Sequence, residues 1–337
     1  MAAGTGRDFI GGLPKCELHL HLEGTLEPAM ARAMALRHGL ATAQSVGERS
    51  RTFEGLPGFL AQYYAAMEGL REEEDFYELT CAYLATAAAQ GVVYAEMFFD
   101  PQAHTSRGVP FGSVVRGIHR AQEDAREMGG PHTQLIMCFL RDETVESAQK
   151  ALEASMPYKD WIVGVGLDSD ERGNPPSKFA SVFADARARG YRLTMHCDPN
   201  QQDSVAHLWQ CLDLIGVERI DHGVDCLADD RLCAELARRR LGLTVCPLSN
   251  LALYGDTLAG AVREMLARGL RVSVHSDDPA YFGGYVADNY RAVQDAGGLS
   301  DGDVVTLARN AFEACWLPAA ARRRYVERLD RYAADAS

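Results

Sequence analysis

Two histidines lie two positions apart in the apolar stretch KCELHLHLEG, residues 15–24. Because alternate residues of a β-strand point to the same side, with Cα atoms about 6–7 Å apart, His19 and His21 can converge on one ion. Imidazole nitrogens bind zinc at about 2.0–2.1 Å. A pair of hydrogen-bonded core histidines is the alternative, but two histidines on one side of an apolar strand, near its end, favour metal binding.

Side chains of the same chemistry end other apolar stretches: His196, His222 and Asp277. A divalent ion held by imidazoles and a carboxylate, with one position left for water, is typical of catalytic zinc sites. Such an ion lowers the pKa of its water from about 15.7 to about 7. A histidine beside that water can orient it and move its proton. Asp277 and Asp278 are adjacent carboxylates that diverge, so one can bind the metal and the other a ligand.

Eight short apolar segments predict the strands that position these residues. Each is followed by a longer segment, and several of these longer segments have a helical pattern. The apolar segments span residues 15–22, 92–100, 133–142, 161–170, 191–198, 219–225, 241–250 and 271–278. Near-continuous apolar runs indicate parallel strands buried on both faces. Eight such repeats predict a (β/α)8 TIM barrel, although a doubly wound open sheet gives the same alternation. The polar residues at the carboxyl-terminal strand ends favour the barrel, because barrel active sites form at that rim.

The segment from 25 to 90 is too long for one crossover. It predicts extra helices after the first strand, lying over the rim. No linker or repeat divides the chain, so we expect one metal-dependent hydrolase barrel domain over residues 1–337. Asp100 and Arg141, also at strand ends, are expected to form structural ion pairs.

Composition limits the partners. The chain of 337 residues has 47% hydrophobic residues, 24% charged residues and a net charge of -13. This charge argues against nucleic-acid binding, which needs a basic patch. No apolar run approaches the roughly 20 residues of a membrane helix. Nine cysteines without a C-x-x-C pair indicate reduced thiols in a cytoplasmic protein. Whether the chain forms a homo-oligomer stays open.

Five stretches in this order resemble the adenosine/adenine deaminase family of the amidohydrolase superfamily: PKCELHLHLEG, MHC, IDHGV, CPLSN and SDDPA. The resemblance spans residues 14–290 and rests on all five together, since H-x-H alone is a weak signal. Four further stretches resemble the branch that deaminates free adenine: YAEMFFDPQAH, CFLRD, GLDSDERGNPPSKF and SDDPAYFGGY. The resemblance implies a zinc enzyme that hydrolyses adenine, or a closely related 6-aminopurine, to the 6-oxopurine and ammonia. N6-substituted adenines, such as N6-methyladenine or cytokinin-like bases, and adenosine are the alternative substrates.

The resemblance also implies a role at each matching position. His222 matches the histidine that orients the attacking water and assists proton transfer. Asp278 matches the carboxylate that binds the imidazole edge of the purine. Asp168 and Glu171 lie in GLDSDE, where the family contacts the base, so both are expected to line the pocket. Four residues match the ligands of one zinc ion per chain: His19, His21, His196 and Asp277.

The fifth predicted strand departs from the family pattern. Relatives carry His-Ala-Gly-Glu, whose Glu protonates the ring, whereas this chain has His196-Cys197-Asp198-Pro199. Asp198 can replace the Glu and complete a catalytic set with His222 and Asp277. The chain can instead use altered chemistry or another 6-aminopurine, or bind zinc and purine without deaminating. The intact water-activating set favours the first two together, while Asp198 also suits a helix N-cap.

A different hydrolase of the same superfamily, such as a phosphotriesterase-like enzyme, is a further alternative. Many of its two-metal members need a carboxylated lysine or a bridging carboxylate at the fourth strand end. GLDSDE has no lysine there, which favours a single metal ion.

Overall fold

The computed structural model describes residues 8–44 and 53–336. Eight parallel strands pair in chain order within it. They are β1 (Lys15–Glu17), β2 (Val92–Phe99), β3 (His132–Leu140), β4 (Ile162–Asp168), β5 (Arg192–Cys197), β6 (Arg219–His222), β7 (Gly242–Val245) and β8 (Arg271–Val274).

The sheet closes on itself beyond the ends of β8 and β1. There the backbone N–H of Asp277 donates to the carbonyl of His19, and that of His21 donates to the carbonyl of Asp277, each at 3.0 Å. These bonds confirm the predicted barrel and exclude an open sheet, whose edge strands would remain unpaired.

Helices follow the strands around the barrel. Those from β2 onward are α5 (Pro101–Thr105), α6 (Phe111–Glu127), α7 (Val145–Ser155), α8 (Ala180–Ala188), α9 (Ser204–Trp209), α10 (Asp230–Arg239), α11 (Pro247–Tyr254), α12 (Ala259–Ala267), α13 (Pro279–Phe282), α14 (Val286–Gly297), α15 (Asp301–Ala314) and α16 (Ala319–Ala336). A short α1 (Phe9–Gly12) precedes β1.

The predicted extra helices are present between β1 and β2: α2 (Pro28–Arg37), α3 (Gly55–Ala66) and α4 (Glu73–Ala89). Residues 45–52 of this segment lie outside the described part. A reciprocal capping box between Glu72 and Asp75 begins α4. Close packing of α4 on α6 requires Gly117, because a Cβ there would meet the carbonyl oxygen of Glu73. The helix α3 lies over the rim and lines the pocket described below.

Several strands are shorter than predicted. The first was expected over residues 15–22, but β1 ends at Glu17. The next amide, of Leu18, donates to Nδ1 of the His275 side chain at 3.1 Å instead of to a backbone carbonyl. An isolated bridge from His21 to Phe98 continues the pairing, so His19 and His21 still extend the strand toward the rim.

The barrel interior holds a charged cluster that the apolar strand pattern did not predict. The Arg219 guanidinium lies 2.5 Å from Glu96 and 3.4 Å from Asp221, and all three side chains are fully buried. Trp316 covers the guanidinium, with 4.4 Å from its central carbon to the ring centroid. Pairing of this kind is what allows charges to lie in a barrel core.

None of the helices within residues 8–44 and 53–336 is long and apolar enough to cross a membrane.

Candidate active site

The four residues expected to bind metal lie together at the carboxyl-terminal rim. Nε2 of His21 lies 3.1 Å from Nε2 of His196 and 3.6 Å from Oδ1 of Asp277. Nε2 of His19 lies 3.3 Å from the same carboxylate oxygen. All four side chains are buried. The ends of β1, β5 and β8 therefore bring three imidazoles together, with Asp277 in contact with two of them, His19 and His21.

These separations suit a bound metal ion. Neighbouring ligands at about 2.05 Å from one ion lie about 2.9–3.6 Å apart when the ion holds four protein ligands and one water molecule. The observed distances of 3.1, 3.3 and 3.6 Å fall in that range. Nε2 of His19 has no hydrogen-bond partner among the described residues, although it is buried. The donor set of three imidazoles and one carboxylate is one that zinc prefers.

A hydrogen-bond chain below the cluster orients His19. The Thr244 hydroxyl donates to Oδ1 of Asp221 at 3.0 Å and lies 2.9 Å from Nδ1 of His19. Since its only proton goes to the carboxylate, the hydroxyl oxygen accepts the Nδ1–H of His19. Nε2 is then the unprotonated nitrogen that faces the cluster. Sequence reasoning missed Thr244 and Asp221, although an acid inside the apolar segment RIDHGV was a signal for the latter.

His222 lies beside the cluster in contact with Asp198. Its Nε2 is 3.2 Å from Oδ1 of Asp198. His222 and Asp277 both have left-handed backbone conformations, with φ of 61° and 63°. Such conformations are strained for residues other than glycine and concentrate at functional sites. The structure thus brings together the three residues expected to be catalytic, His222, Asp198 and Asp277.

The position of Asp198 is fixed from behind by Glu171. One oxygen of Glu171 accepts the backbone N–H of Asp198 at 2.9 Å, and the other lies 2.6 Å from Nδ1 of His207. The guanidinium of Arg141 is 3.4 Å from Glu171 and donates to the carbonyl of His196 at 2.9 Å. Arg141 therefore forms the predicted ion pair. Glu171, which we expected to line the purine pocket, is used in this network behind the pocket wall.

Burial raises the pKa of Asp198 to about 8, and the negative charge of Glu171 adds to the shift while Arg141 opposes it. A carboxyl group with such a pKa keeps its proton near neutral pH and can act as a general acid. Asp198 does not cap a helix with its side chain, since the N-cap of α9 is Asp203.

Asp278, the residue after Asp277, lines the pocket. Its side chain is buried, and Oδ1 has no hydrogen-bond partner among the described residues. Burial raises the pKa of Asp278 well above its ordinary value, and the adjacent Asp277 adds to the shift. Gly24 makes room for this carboxyl group, because a Cβ at Gly24 would lie 2.7 Å from Cα of Asp278.

Asp168 also lines the pocket, together with Asp100 from the end of β2. Burial raises the pKa of Asp168 to about 6. Burial and the charge of Asp168 raise the pKa of Asp100 well above its usual range. The prediction of an ion pair for Asp100 is wrong for the described part of the chain, where no lysine or arginine contacts it. Strand β2 ends at the rim facing the pocket, which places the Asp100 carboxyl group beside that of Asp168.

Helix α3 and the segment after β8 cover the pocket with aromatic rings. The covering side chains include Phe59, Tyr63, Tyr64 and Phe282. The Tyr64 hydroxyl donates to the hydroxyl of Ser169 at 3.0 Å, which ties α3 to the end of β4. Flat apolar walls with a few polar groups at the edge suit a planar heterocycle. Sequence reasoning placed helices over the rim but did not identify these side chains.

Comparisons with known proteins agree with this geometry. Residues 14–332 match the family model described as adenosine deaminase. A protein named adenine deaminase from Streptomyces coelicolor is 49% identical over 332 residues, which cover 96% of this chain and 97% of the relative. The crystal structure of an adenine deaminase from Arthrobacter aurescens is 40% identical with a TM-score of 0.90, over 95% of this chain and 99% of the other. A Burkholderia ambifaria amidohydrolase structure with bound zinc is 25% identical with a TM-score of 0.88, over 100% of this chain and 96% of the other.

Proposed function

The chain belongs to the adenosine deaminase family, and we propose that it hydrolyses adenine to hypoxanthine and ammonia. The observation that carries the proposal is the convergence of four ligand atoms beside His222 and the buried acid Asp198. Relatives named adenine deaminase, similar over nearly the whole chain, support adenine as the substrate. A planar pocket between aromatic walls suits the same ring.

We propose that each chain holds one zinc ion. His19, His21, His196 and Asp277 would hold it, with Thr244 and Asp221 orienting His19 from below. When bound, zinc acts as a Lewis acid that makes water a nucleophile at neutral pH. A single ion is supported by the fourth strand end, where the residues after β4 include no lysine that could bridge two metals.

His222 and Asp198 would handle the protons of the reaction. Addition of water at C6 moves the electron pair of the C6–N1 double bond onto N1, which must then gain a proton. Asp198, whose carboxyl group keeps its proton near neutral pH, would supply it. His222 would accept a proton from the attacking water and return it to the departing ammonia. The proton that remains on the C6 hydroxyl group would return to Asp198 as the C6–O double bond forms and ammonia leaves, so both groups end the cycle as they began it. The 3.2 Å distance from Nε2 of His222 to Asp198 keeps these two proton carriers side by side.

Asp278 and Asp168 would orient the base. Asp278, whose pKa is raised by burial and whose Oδ1 has no hydrogen-bond partner among the described residues, would donate its carboxyl proton to N7. Asp168 would contact the part of the ring that lies away from C6. Glu171 would act by positioning Asp198 and not by touching the base, because both of its oxygens have partners within the protein.

We also propose that the protein works in the cytoplasm as a single domain. All nine cysteines are free, and Cys197 and Cys211 remain thiols although their sulfur atoms are only 3.5 Å apart. A reducing compartment keeps such a pair unbonded.

A substrate panel tests the proposal. Zinc-loaded protein is incubated with adenine, N6-methyladenine, N6-isopentenyladenine and adenosine, and ammonia or amine release is measured. We expect adenine to give the highest kcat/KM. Asp198→Asn should lower kcat by about 10²- to 10⁴-fold, the usual contribution of a general acid. Near-normal turnover in this variant would exclude Asp198 as the proton donor, and no release from any 6-aminopurine would refute the deaminase function.

A further inference from the structure

Two carboxyl groups lie side by side in the pocket, and the proposed chemistry gives no role to one of them, Asp100. Asp100 follows β2, and Asp168 ends β4. Their carboxylate oxygens and a ring nitrogen of His21 all lie within 4.8 Å of one another. The side chains are 1% and 3% exposed, respectively.

Within the described part of the chain, no N–H group donates a hydrogen bond to these carboxyl groups, and the donors beside them are each other and the Cys138 thiol. Oδ1 of Asp100 and both carboxyl oxygens of Asp168 have no partner among the described residues, although all three atoms are buried. The nearest ring N–H, Nδ1 of His21, is 3.5 Å from Asp168. Buried polar atoms in native proteins are nearly always hydrogen-bonded, and leaving one unpaired destabilises the protein. Because both side chains line the pocket, a bound ligand can supply the missing donor.

The purine itself indicates which donor this is, given the proposed function on which this inference rests. C6 must face His222, N1 must face Asp198, and N7 faces Asp278. The polar atoms that remain on the ring are N3 and N9. In free adenine N9 carries a hydrogen, whereas in adenosine it carries ribose.

The space around the pair also favours a free base. Two aromatic residues of α3, Tyr63 and Tyr64, line the pocket together with the pair. Tyr64 closes this side through its 3.0 Å hydrogen bond to Ser169, the residue after Asp168. A ribose attached at N9 would have to displace this contact.

We propose that Asp100 and Asp168 together accept a hydrogen bond from the unsubstituted imidazole N–H of the purine, and that this contact selects free bases over N9-substituted purines and nucleosides. Asp100 is thereby assigned as a specificity-determining residue, in addition to the residues of the reaction itself.

The test compares Asp100→Asn with wild type on adenine, 9-methyladenine and adenosine. Asp100 is the cleaner position to change, because Asp168 lies against the predicted ligand His21. We expect kcat/KM for adenine to fall about tenfold, the loss of one hydrogen bond. The values for 9-methyladenine, which has no N9–H and no hydroxyl groups, should be low in wild type and unchanged in the variant. Asp142→Asn, at an exposed carboxylate after β3, is the matched control and should behave as wild type.

Three results would overturn the inference. An equal loss on adenine and 9-methyladenine indicates a structural role, and a larger loss on adenosine indicates that the pair binds ribose hydroxyls. Two equivalents of metal in wild type, falling to one in Asp100→Asn, indicate a second metal site. Calorimetric binding of hypoxanthine against 9-methylhypoxanthine measures the same preference without turnover. A wild-type protein that releases no ammonia but prefers hypoxanthine would therefore refute the proposed function while supporting this inference.

Discussion

Replacing Asp221 by Asn tests whether the barrel core controls metal affinity. Asp221 accepts the Thr244 hydroxyl proton at 3.0 Å, which makes Thr244 an acceptor for the Nδ1–H of His19. An Asn amide group can donate to Thr244 instead. Thr244 would then donate to Nδ1 of His19, and the proton of the neutral imidazole would move to Nε2, the atom that faces the other ligands. The variant therefore favours the tautomer that cannot bind metal.

The expected loss is one of metal affinity. Removing a carboxylate that orients a metal-bound histidine lowers that affinity by about 10- to 100-fold. That range corresponds to about 1.4–2.7 kcal/mol of binding free energy. Zinc affinity is measured by competition with a chromophoric chelator, which requires no catalytic activity.

Glu96→Gln is the matched control. Glu96 contacts the same Arg219 at 2.5 Å but does not contact Thr244. Each variant removes one of the two buried carboxylates that contact Arg219, and each should lower the free energy of unfolding by about 3–5 kcal/mol. Only Asp221→Asn should also lower the zinc affinity. Equal zinc affinities in the two variants would refute the tautomer argument and leave a purely structural role for Asp221.

Three further predictions concern the rest of the site. Glu171→Gln should lower kcat with little change in KM for adenine, because Glu171 lies behind the pocket and accepts the backbone N–H of Asp198 at 2.9 Å. A rise in KM alone would indicate that Glu171 contacts the substrate. Gly24→Ala should displace the Asp278 carboxyl group, since the new Cβ would lie 2.7 Å from Cα of Asp278. The loss of about one hydrogen bond to adenine should then raise KM about tenfold or more. An unchanged KM would argue against Asp278 as a purine ligand. Removal of zinc with a chelator should lower Tm, because an ion at 100 times its Kd stabilises the fold by about 2.7 kcal/mol; identical melting curves with and without zinc would speak against a metal at this cluster.

The metal cluster could be predicted from the sequence because it depends on few long-range details. Parallel strands bring their carboxyl-terminal ends to one rim, so His19, His196 and Asp277 had to be near one another once the barrel was inferred. The alternation of side chains along a strand placed His21 beside His19. Even the early end of β1 did not disturb this, because the pairing resumes at His21.

The groups around the cluster could not be predicted in the same way. Glu171 and Asp168 lie three residues apart in GLDSDE, yet one turns behind Asp198 and the other into the pocket. Ser169, between them, has a φ of 72°, and the change in chain direction there is not visible in residue type. The partner of Asp100 depends on which side chains reach the end of β2. That no lysine or arginine of residues 8–44 and 53–336 does so follows from tertiary packing alone.

Isotope labelling tests the central claim, hydrolytic deamination at this site, most directly. Zinc-loaded protein is given adenine in water enriched in ¹⁸O, ammonia is quantified, and hypoxanthine is analysed by mass spectrometry. We expect one ammonia and one ¹⁸O atom per hypoxanthine, with both products lost in His222→Gln. Unchanged adenine, or hypoxanthine formed at the same rate by His222→Gln, would contradict this claim.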